Sequence, residues 1–342
     1  INGGCVTAIG GSSGSTGGAG IGSGENANYS GTVTINGGVV YAEGGADSTS
    51  IGRGNRAIGT SDNGAFTTGT GGNAVIVAPD GIGDPSGFAD WDGIFISYEG
   101  NNTSATVGED GTVHLNDTEA NIQVWGEPVI DYPLVVESGT ELRVVQNDRN
   151  YAYATLEIGQ DGKLTNNGTV TVDEGSTLIL REGLDQTDGS GTLECTGTVK
   201  LPPEDKLIAL SGAEDLTYNG TEQSPEVSVT LNLWGYSHTY GNPADYTVTY
   251  TDATNAGETA KAVITSTGAG DLLAGSASKT FVIQPAAYSI NVSDGKWTVA
   301  HGETQLLSKL PPATISIDPS IQDDLTGLRA GNLTWYMDEQ HS

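Results

Sequence analysis

The chain has 342 residues, 43 acidic and 13 basic side chains, and a formal charge of −30 spread along its whole length. That surface repels nucleic acid and anionic lipid. No run of about 20 apolar residues is present to span a membrane, and two cysteines, Cys5 and Cys195, cannot build a disulfide framework. Fifty-one glycines stand among Val, Ile, Thr and Leu, a mixture that calls for β-structure with many tight turns.

An internal repeat opens the chain. Ile1-Asn2-Gly3-Gly4-Cys5-Val6-Thr7-Ala8 recurs as Ile35-Asn36-Gly37-Gly38-Val39-Val40-Tyr41-Ala42, an offset of 34. Ala19-Gly20-Ile21-Gly22-Ser23-Gly24 recurs as Thr49-Ser50-Ile51-Gly52-Arg53-Gly54, an offset of 30. Loss of four residues from a loop with both flanks kept is what stacked coils tolerate. Short alternating stretches such as 32–35 face a core on one side only, so each coil is too thin to bury its own face. A looser repeat follows. Val107-Gly-Glu-Asp-Gly111-Thr-Val113 matches Ile158-Gly-Gln-Asp-Gly162-Lys-Leu164, and Val136-Glu-Ser-Gly139-Thr-Glu-Leu142 matches Val172-Asp-Glu-Gly175-Ser-Thr-Leu178. Residues 1–201 are expected to form one solenoid, a right-handed parallel β-helix, with an irregular excursion at about 79–100.

Leu201-Pro202-Pro203 breaks the pattern. Alternating stretches at 226–231, 245–250, 261–265 and 279–283 then predict an immunoglobulin-like β-sandwich over 202–285. Gln284-Pro285-Ala286-Ala287 is a second break, and 286–342 starts a further β segment. The fold class expected is all-β. Ile1 falls inside a repeat, so the chain reads as a piece of a longer protein whose targeting signals lie elsewhere.

Chemistry is sparse in linear sequence. Asp80, Asp84, Asp90 and Asp92 crowd a glycine-rich stretch, and several oxygen ligands in a flexible loop suit calcium, although the order of an EF-hand is missing. Phe88, Trp91, Phe95 and Tyr98 follow it, and Tyr151 and Tyr153 come later. Exposed aromatic faces stack on the apolar face of sugar rings, so Trp91 and Tyr98 are glycan-binding candidates, as are Trp234 and Tyr236 in the alternating run to Tyr240. The alternative for each is a core role. His114, His238, His301 and His341 are isolated, and no Ser–His–Asp constellation is readable. Carboxylate pairs for glycoside hydrolysis can assemble from separate coils, but so many acids make chance stacking expected.

The Ile-Asn-Gly-Gly-x-Val-x-Ala and Gly-Ile-Gly-x-Gly units resemble repeats of large surface proteins of gut Firmicutes, which are similar to pectate-lyase-like β-helix proteins. Leu216-Thr-Tyr218-Asn-Gly220, Pro225-Glu-Val227, Asp245-Tyr246-Thr-Val248-Thr-Tyr250 and Asn255-Ala256-Gly257 resemble the small immunoglobulin-like modules of the same proteins. The resemblance implies an extracellular, surface-attached, noncatalytic adhesin that binds a glycan of host or plant origin. A ligand-free stalk is the first alternative, and a polysaccharide lyase or glycoside hydrolase the second.

Overall fold

The computed structural model describes residues 1–27, 32–55, 65–67, 73–83, 92–97, 105–116, 121–144, 154–214, 216–257, 259–285, 289–291 and 314–316. These residues are all-β, with short 3-10 turns at Gly183–Gln186 and Asp205–Leu207, and most of their sheets are parallel. No helix among them is long and apolar enough to cross a membrane.

A leading sheet runs through Asn2–Ile9, Gly37–Glu43, Asn73–Val77, Gly93–Ser97 and Asn121–Trp125. Its registers reproduce the sequence repeat. Val6 pairs with Val40 and Ala8 with Ala42, in parallel, at the offset of 34. Ile21 pairs with Ile51 at the offset of 30. The inward ladder through Val40, Ala42, Ala74, Ile76 and Phe95 joins Ile35, Ile51 and Ala78 in one core. Residues 93–97, placed by the sequence in an irregular excursion, are instead a regular strand parallel to Asn73–Val77. The parallel run changes sense one strand later, where Gly93–Ser97 meets Asn121–Trp125 antiparallel.

Three further sheets share the chain from Ala105 to Leu201. The first holds Val129–Ile130, Thr155–Ile158, Thr177–Leu180 and Thr198–Lys200. The second holds Ala105–Val107, Val113–Leu115, Pro133–Val136, Lys163–Asn166 and Thr187–Asp188, and the third Glu141–Val144, Thr169–Val172 and Thr192–Cys195. From Val129 the chain visits them in a fixed cycle of first, second, third. Strands such as Glu141–Val144 and Thr155–Ile158 alternate between exposed or half-buried and buried residues, which is what a one-sided core demands. Their inward residues stack on like residues: Ile130 on Ile158 on Leu180, Leu156 on Leu178 on Val199, and Leu142 on Val170 on Leu193. Asn166 is fully buried at a corner, where its Oδ1 accepts from the Gly168 N–H and its Nδ2 donates to the Thr192 carbonyl.

Six strands from Ile208 to Val282 form two three-stranded sheets. The four of them foreseen from alternation are present as Glu226–Leu233, Tyr246–Thr251, Thr259–Ser266 and Ser276–Val282. Two compact units result. One takes Ile1–Leu207 together with Val229–Thr247 and Thr265–Ser276; the other takes Ile208–Ser228, Val248–Ile264 and the chain from Ala277. The core of the second unit is Ala253, Ala260, Ala262, Phe281 and Ile283.

Candidate functional site

The aromatic run belongs to an antiparallel hairpin in which Leu233 pairs with Tyr236 and Leu231 with His238. Its two-residue turn, Trp234-Gly235, has φ of +46° and +81°. Both central residues of a tight hairpin turn require positive φ, and a bulky side chain there is strained. Contacts on both sides of Trp234 hold that strain. Its indole Nε1–H donates to the Asp188 carbonyl at 3.1 Å, and its own carbonyl accepts from the Leu193 N–H at 3.0 Å. Asp188 ends the last strand of the second sheet, and Leu193 lies in the last strand of the third.

Tyr240 and Leu273 extend the same cover to the first sheet. The Tyr240 hydroxyl donates to the Val199 carbonyl at 3.4 Å, and the Leu273 N–H donates to the Leu201 carbonyl at 3.0 Å. Tyr240 is 2 % exposed, and burial raises its pKa. Tyr236 lies against Cys195; burial first, and then the thiol, pushes its phenol up to about 12. The Cys195 thiol is raised in turn, chiefly by burial. The last strands of all three sheets therefore meet partners from 229–247 and 265–276, which satisfies backbone groups that an open edge would leave bare. Trp234 and Tyr236 are half-buried. Tyr236 and His238, both half-buried, stand on one face of their strand, with rings 4° from parallel at 6.3 Å between centroids.

The acidic stretch is divided between described and undescribed residues. Asp84, Asp90, Trp91 and Tyr98 lie outside the described residues, as do Phe88, Tyr151 and Tyr153. Asp80 ties distant parts of the chain together: one carboxylate oxygen accepts from the Gly44 N–H at 2.8 Å and from the Ser50 hydroxyl at 3.4 Å, and its N–H donates to Ser50 Oγ at 2.8 Å. Asp92 Oδ1 accepts from the Glu127 N–H at 3.0 Å. Phe95, grouped with the sugar-stacking candidates by its place in sequence, is 8 % exposed and packs in the leading core. Among the described residues no group of three or more His, Cys, Asp or Glu side chains is arranged to hold a metal ion.

Charges are matched between neighbouring strands or their ends. Arg143 makes a two-point contact with Asp173 at 2.9 and 3.2 Å, and Arg181 grips both oxygens of Glu157 at 2.6 Å. Lys163 pairs with Asp188 at 3.0 Å, and His114 Nδ1 meets Glu137 Oε1 at 2.8 Å. The Arg143 guanidinium is raised by its bond to Asp173, and the Asp188 carboxyl is lowered by the Gly189 N–H and then by Lys163. His301 and His341 lie outside the described residues. A groove of about 340 Å³ lies in the second unit, lined among others by Ile208, Leu210, Glu214, Lys279, Phe281 and Gln284.

Sequence reasoning missed the edge-covering role of Trp234, Tyr240 and Leu273. A signal existed: a two-residue Trp-Gly turn between alternating strands is a hairpin, and a large ring at its tip must rest on something. Comparison with known protein families, with curated proteins and with solved structures finds no match. The class the chain defines rests on its own geometry: an all-β protein of mostly parallel sheets.

Proposed function

We propose that the chain is a noncatalytic structural segment of a secreted, cell-surface-attached protein: a right-handed parallel β-helix followed by an immunoglobulin-like sandwich, acting as a stalk. The observation that carries this reading is the fate of the aromatic run. Its bonds to Asp188, Leu193 and Val199 spend Trp234 and Tyr240 on covering strand edges rather than on an open cleft. Coil-to-coil ion pairs add to it, since the basic groups at 143, 163 and 181 are each matched to a carboxylate instead of standing ready as a general base. The high negative charge suits a solvated exterior. The test has two arms. No sugar should be retained on a broad glycan array, and no unsaturated product should appear from pectin-like polymers with calcium present. Turnover in the second arm overturns the noncatalytic reading.

A second reading, glycan binding, draws on the near-parallel Tyr236 and His238 rings, which offer a flat half-exposed surface of the kind that stacks on sugars. Array binding that is lost in Tyr236→Ala places the ligand there. Binding lost only in Trp91→Ala or Tyr98→Ala places it on the acidic-aromatic stretch, with Asp80, Asp84, Asp90 and Asp92 then the carboxylates to test for calcium dependence.

A further inference from the structure

Two separate stretches of chain, 229–247 and 265–276, cover the last strands of the three sheets, and one carboxylate joins them. Asp245 Oδ2 accepts from the Gly241 N–H at 2.6 Å, and its Oδ1 accepts from the Asp271 N–H at 2.9 Å. The chain beside it repeats the link. The Asp245 carbonyl accepts from the Thr267 N–H at 2.9 Å, and the Ala244 carbonyl from the Thr267 hydroxyl at 2.8 Å. A Cβ at Gly270 would sit 2.0 Å from Asp245 Oδ1 and 2.9 Å from its Cα. Gly270 does not adopt the left-handed backbone that favours glycine, so the close approach of Asp245 is what requires the small residue there.

The joined piece reaches two different sheets. Just past Asp271, Leu272 is 2 % exposed and bridges Leu201 in the parallel sense, and the Leu273 N–H donates to the Leu201 carbonyl at 3.0 Å. Leu201 directly follows Thr198–Lys200, the last strand of the first sheet, whose earlier strands pair with one another in parallel. From the other stretch, the Trp234 carbonyl accepts from the Leu193 N–H in the last strand of the third sheet. The two stretches together offer those strands the backbone partners that another turn of chain would offer.

We infer that Asp245 is a positioning residue: its two carboxylate oxygens clasp 229–247 and 265–276 into one surrogate turn, and the cover over the strand edges holds or lets go as a single piece. The chemistry calls for a carboxylate. Each oxygen accepts from its own backbone N–H. An amide of the same shape would turn its own N–H donors towards one of those N–H groups and keep only one of the two bonds. The clasp concerns the cover alone, so it stands or falls independently of both the stalk reading and the glycan reading.

The test compares the full chain with three variants. Asp245→Asn removes one bond of the clasp. Gly270→Ala pushes on the same contact from its other side and keeps the charge. Glu222→Gln is an exposed acid-to-amide control. Hydrogen exchange of the Leu193 and Leu273 amides quickens about tenfold in each of the first two variants and is unchanged in the control. The Thr177 amide, bonded to the Ala154 carbonyl in an earlier turn of chain, keeps its rate in all three. The Tyr236 phenol, pushed up to about 12 chiefly by burial, then ionises closer to its ordinary 10, and the matching chain with Tyr236→Phe identifies it. Quickening at Leu273 alone overturns the inference, because the two stretches then move separately. So does quickening at neither amide, a Tyr236 that still ionises near 12, or equal quickening at Thr177, which means general loosening rather than release of the cover.

Discussion

The leading sheet and the three-sheet region stack successive turns of chain by different means. Around the leading sheet, backbone packs on backbone: a Cβ at Gly22 would sit 2.0 Å from Gly52 O, and one at Gly38 2.4 Å from Gly4 O. Between Val129 and Leu201 glycines lie as close to backbone, but at the corners between strands: a Cβ at Gly162 would sit 2.1 Å from Ile130 O, and one at Gly168 2.3 Å from Thr140 O. Within the strands of that region the contact is made by side chains, in columns of Leu, Ile and Val that are almost entirely buried. Aliphatic burial of this kind contributes roughly 25 cal/mol per Å². Fragility should therefore sit at glycines inside strands in the leading region, and at aliphatic columns and corner glycines in the other.

The largest effect is expected in the columns. Leu156→Ala removes a fully buried side chain stacked on Leu178 and should cost about 3–5 kcal/mol, read from the denaturant midpoint. A loss below about 1 kcal/mol would mean that the column is not the source of stability. Next comes Gly22→Ala. It places a methyl group into the Gly52 carbonyl at a φ of +142°, and about 2–4 kcal/mol should be lost with disruption confined to the leading region. If Gly22→Ala proves harmless, backbone contact is not what holds these coils together.

Ser50→Ala sharpens the contrast on a smaller scale. Ser50 is fully buried and accepts from the Asp80 N–H, so losing its hydroxyl should cost about 1–2 kcal/mol. The smallest effect belongs to Arg143→Ala. Its pair with Asp173 is half-exposed, and the change should cost less than about 1 kcal/mol and fade at high salt.

Alkaline pH probes the covered edge. The folded phenol of Tyr236 is pushed up to about 12 from an ordinary 10, chiefly by burial. A raised folded pKa means that this contribution is fully present below pH 10 and is lost as pH climbs from 10 towards 12. Spectrophotometric titration should show late-ionising tyrosines, of which Tyr236→Phe removes one and leaves Tyr240 late, and that variant should lose less stability between those pH values. A normal titration in the folded chain would mean that the hairpin does not rest on Cys195.

Legibility differed between the same two regions. At the leading sheet the offsets of 34 and 30 were readable and equal the strand registers, because identical glycines must recur where identical backbone contacts recur. The looser repeat misled. Val107-Gly-Glu-Asp-Gly111-Thr-Val113 closes an antiparallel hairpin, with Val107 paired to Val113. Ile158-Gly-Gln-Asp-Gly162-Lys-Leu164 turns a corner between two parallel sheets. The local turn bonds are alike, Gly111 N–H to Gly108 O and Gly162 N–H to Gly159 O. What differs is the neighbour: the Gly159 N–H donates to Ile130 O on the preceding turn of chain. A seven-residue motif does not encode that partner.

Of the candidate site, the residue types were legible and their employment was not. Trp234, Tyr236 and Tyr240 stood out as an alternating aromatic run, but ring chemistry alone does not separate a sugar platform from a cover over strand edges. The bonds that Trp234 and Tyr240 make go to the carbonyls of Asp188 and Val199, 46 and 41 residues away in sequence. For Asp80 the sequence showed an acid in a glycine-rich stretch, while its bonds to Gly44 and Ser50, 36 and 30 residues away, needed the fold.

By itself the sequence determined the all-β class, the repeat offsets that the parallel strand pairs follow and the strands between 226 and 283, since each follows from local periodicity and glycine placement. Only the tertiary structure decided where the parallel run changes sense, which turns become hairpins and which become corners, and which aromatics are consumed in covering strand edges. Those outcomes depend on backbone partners tens of residues distant, and a chain's local pattern holds no record of which distant carbonyl will arrive.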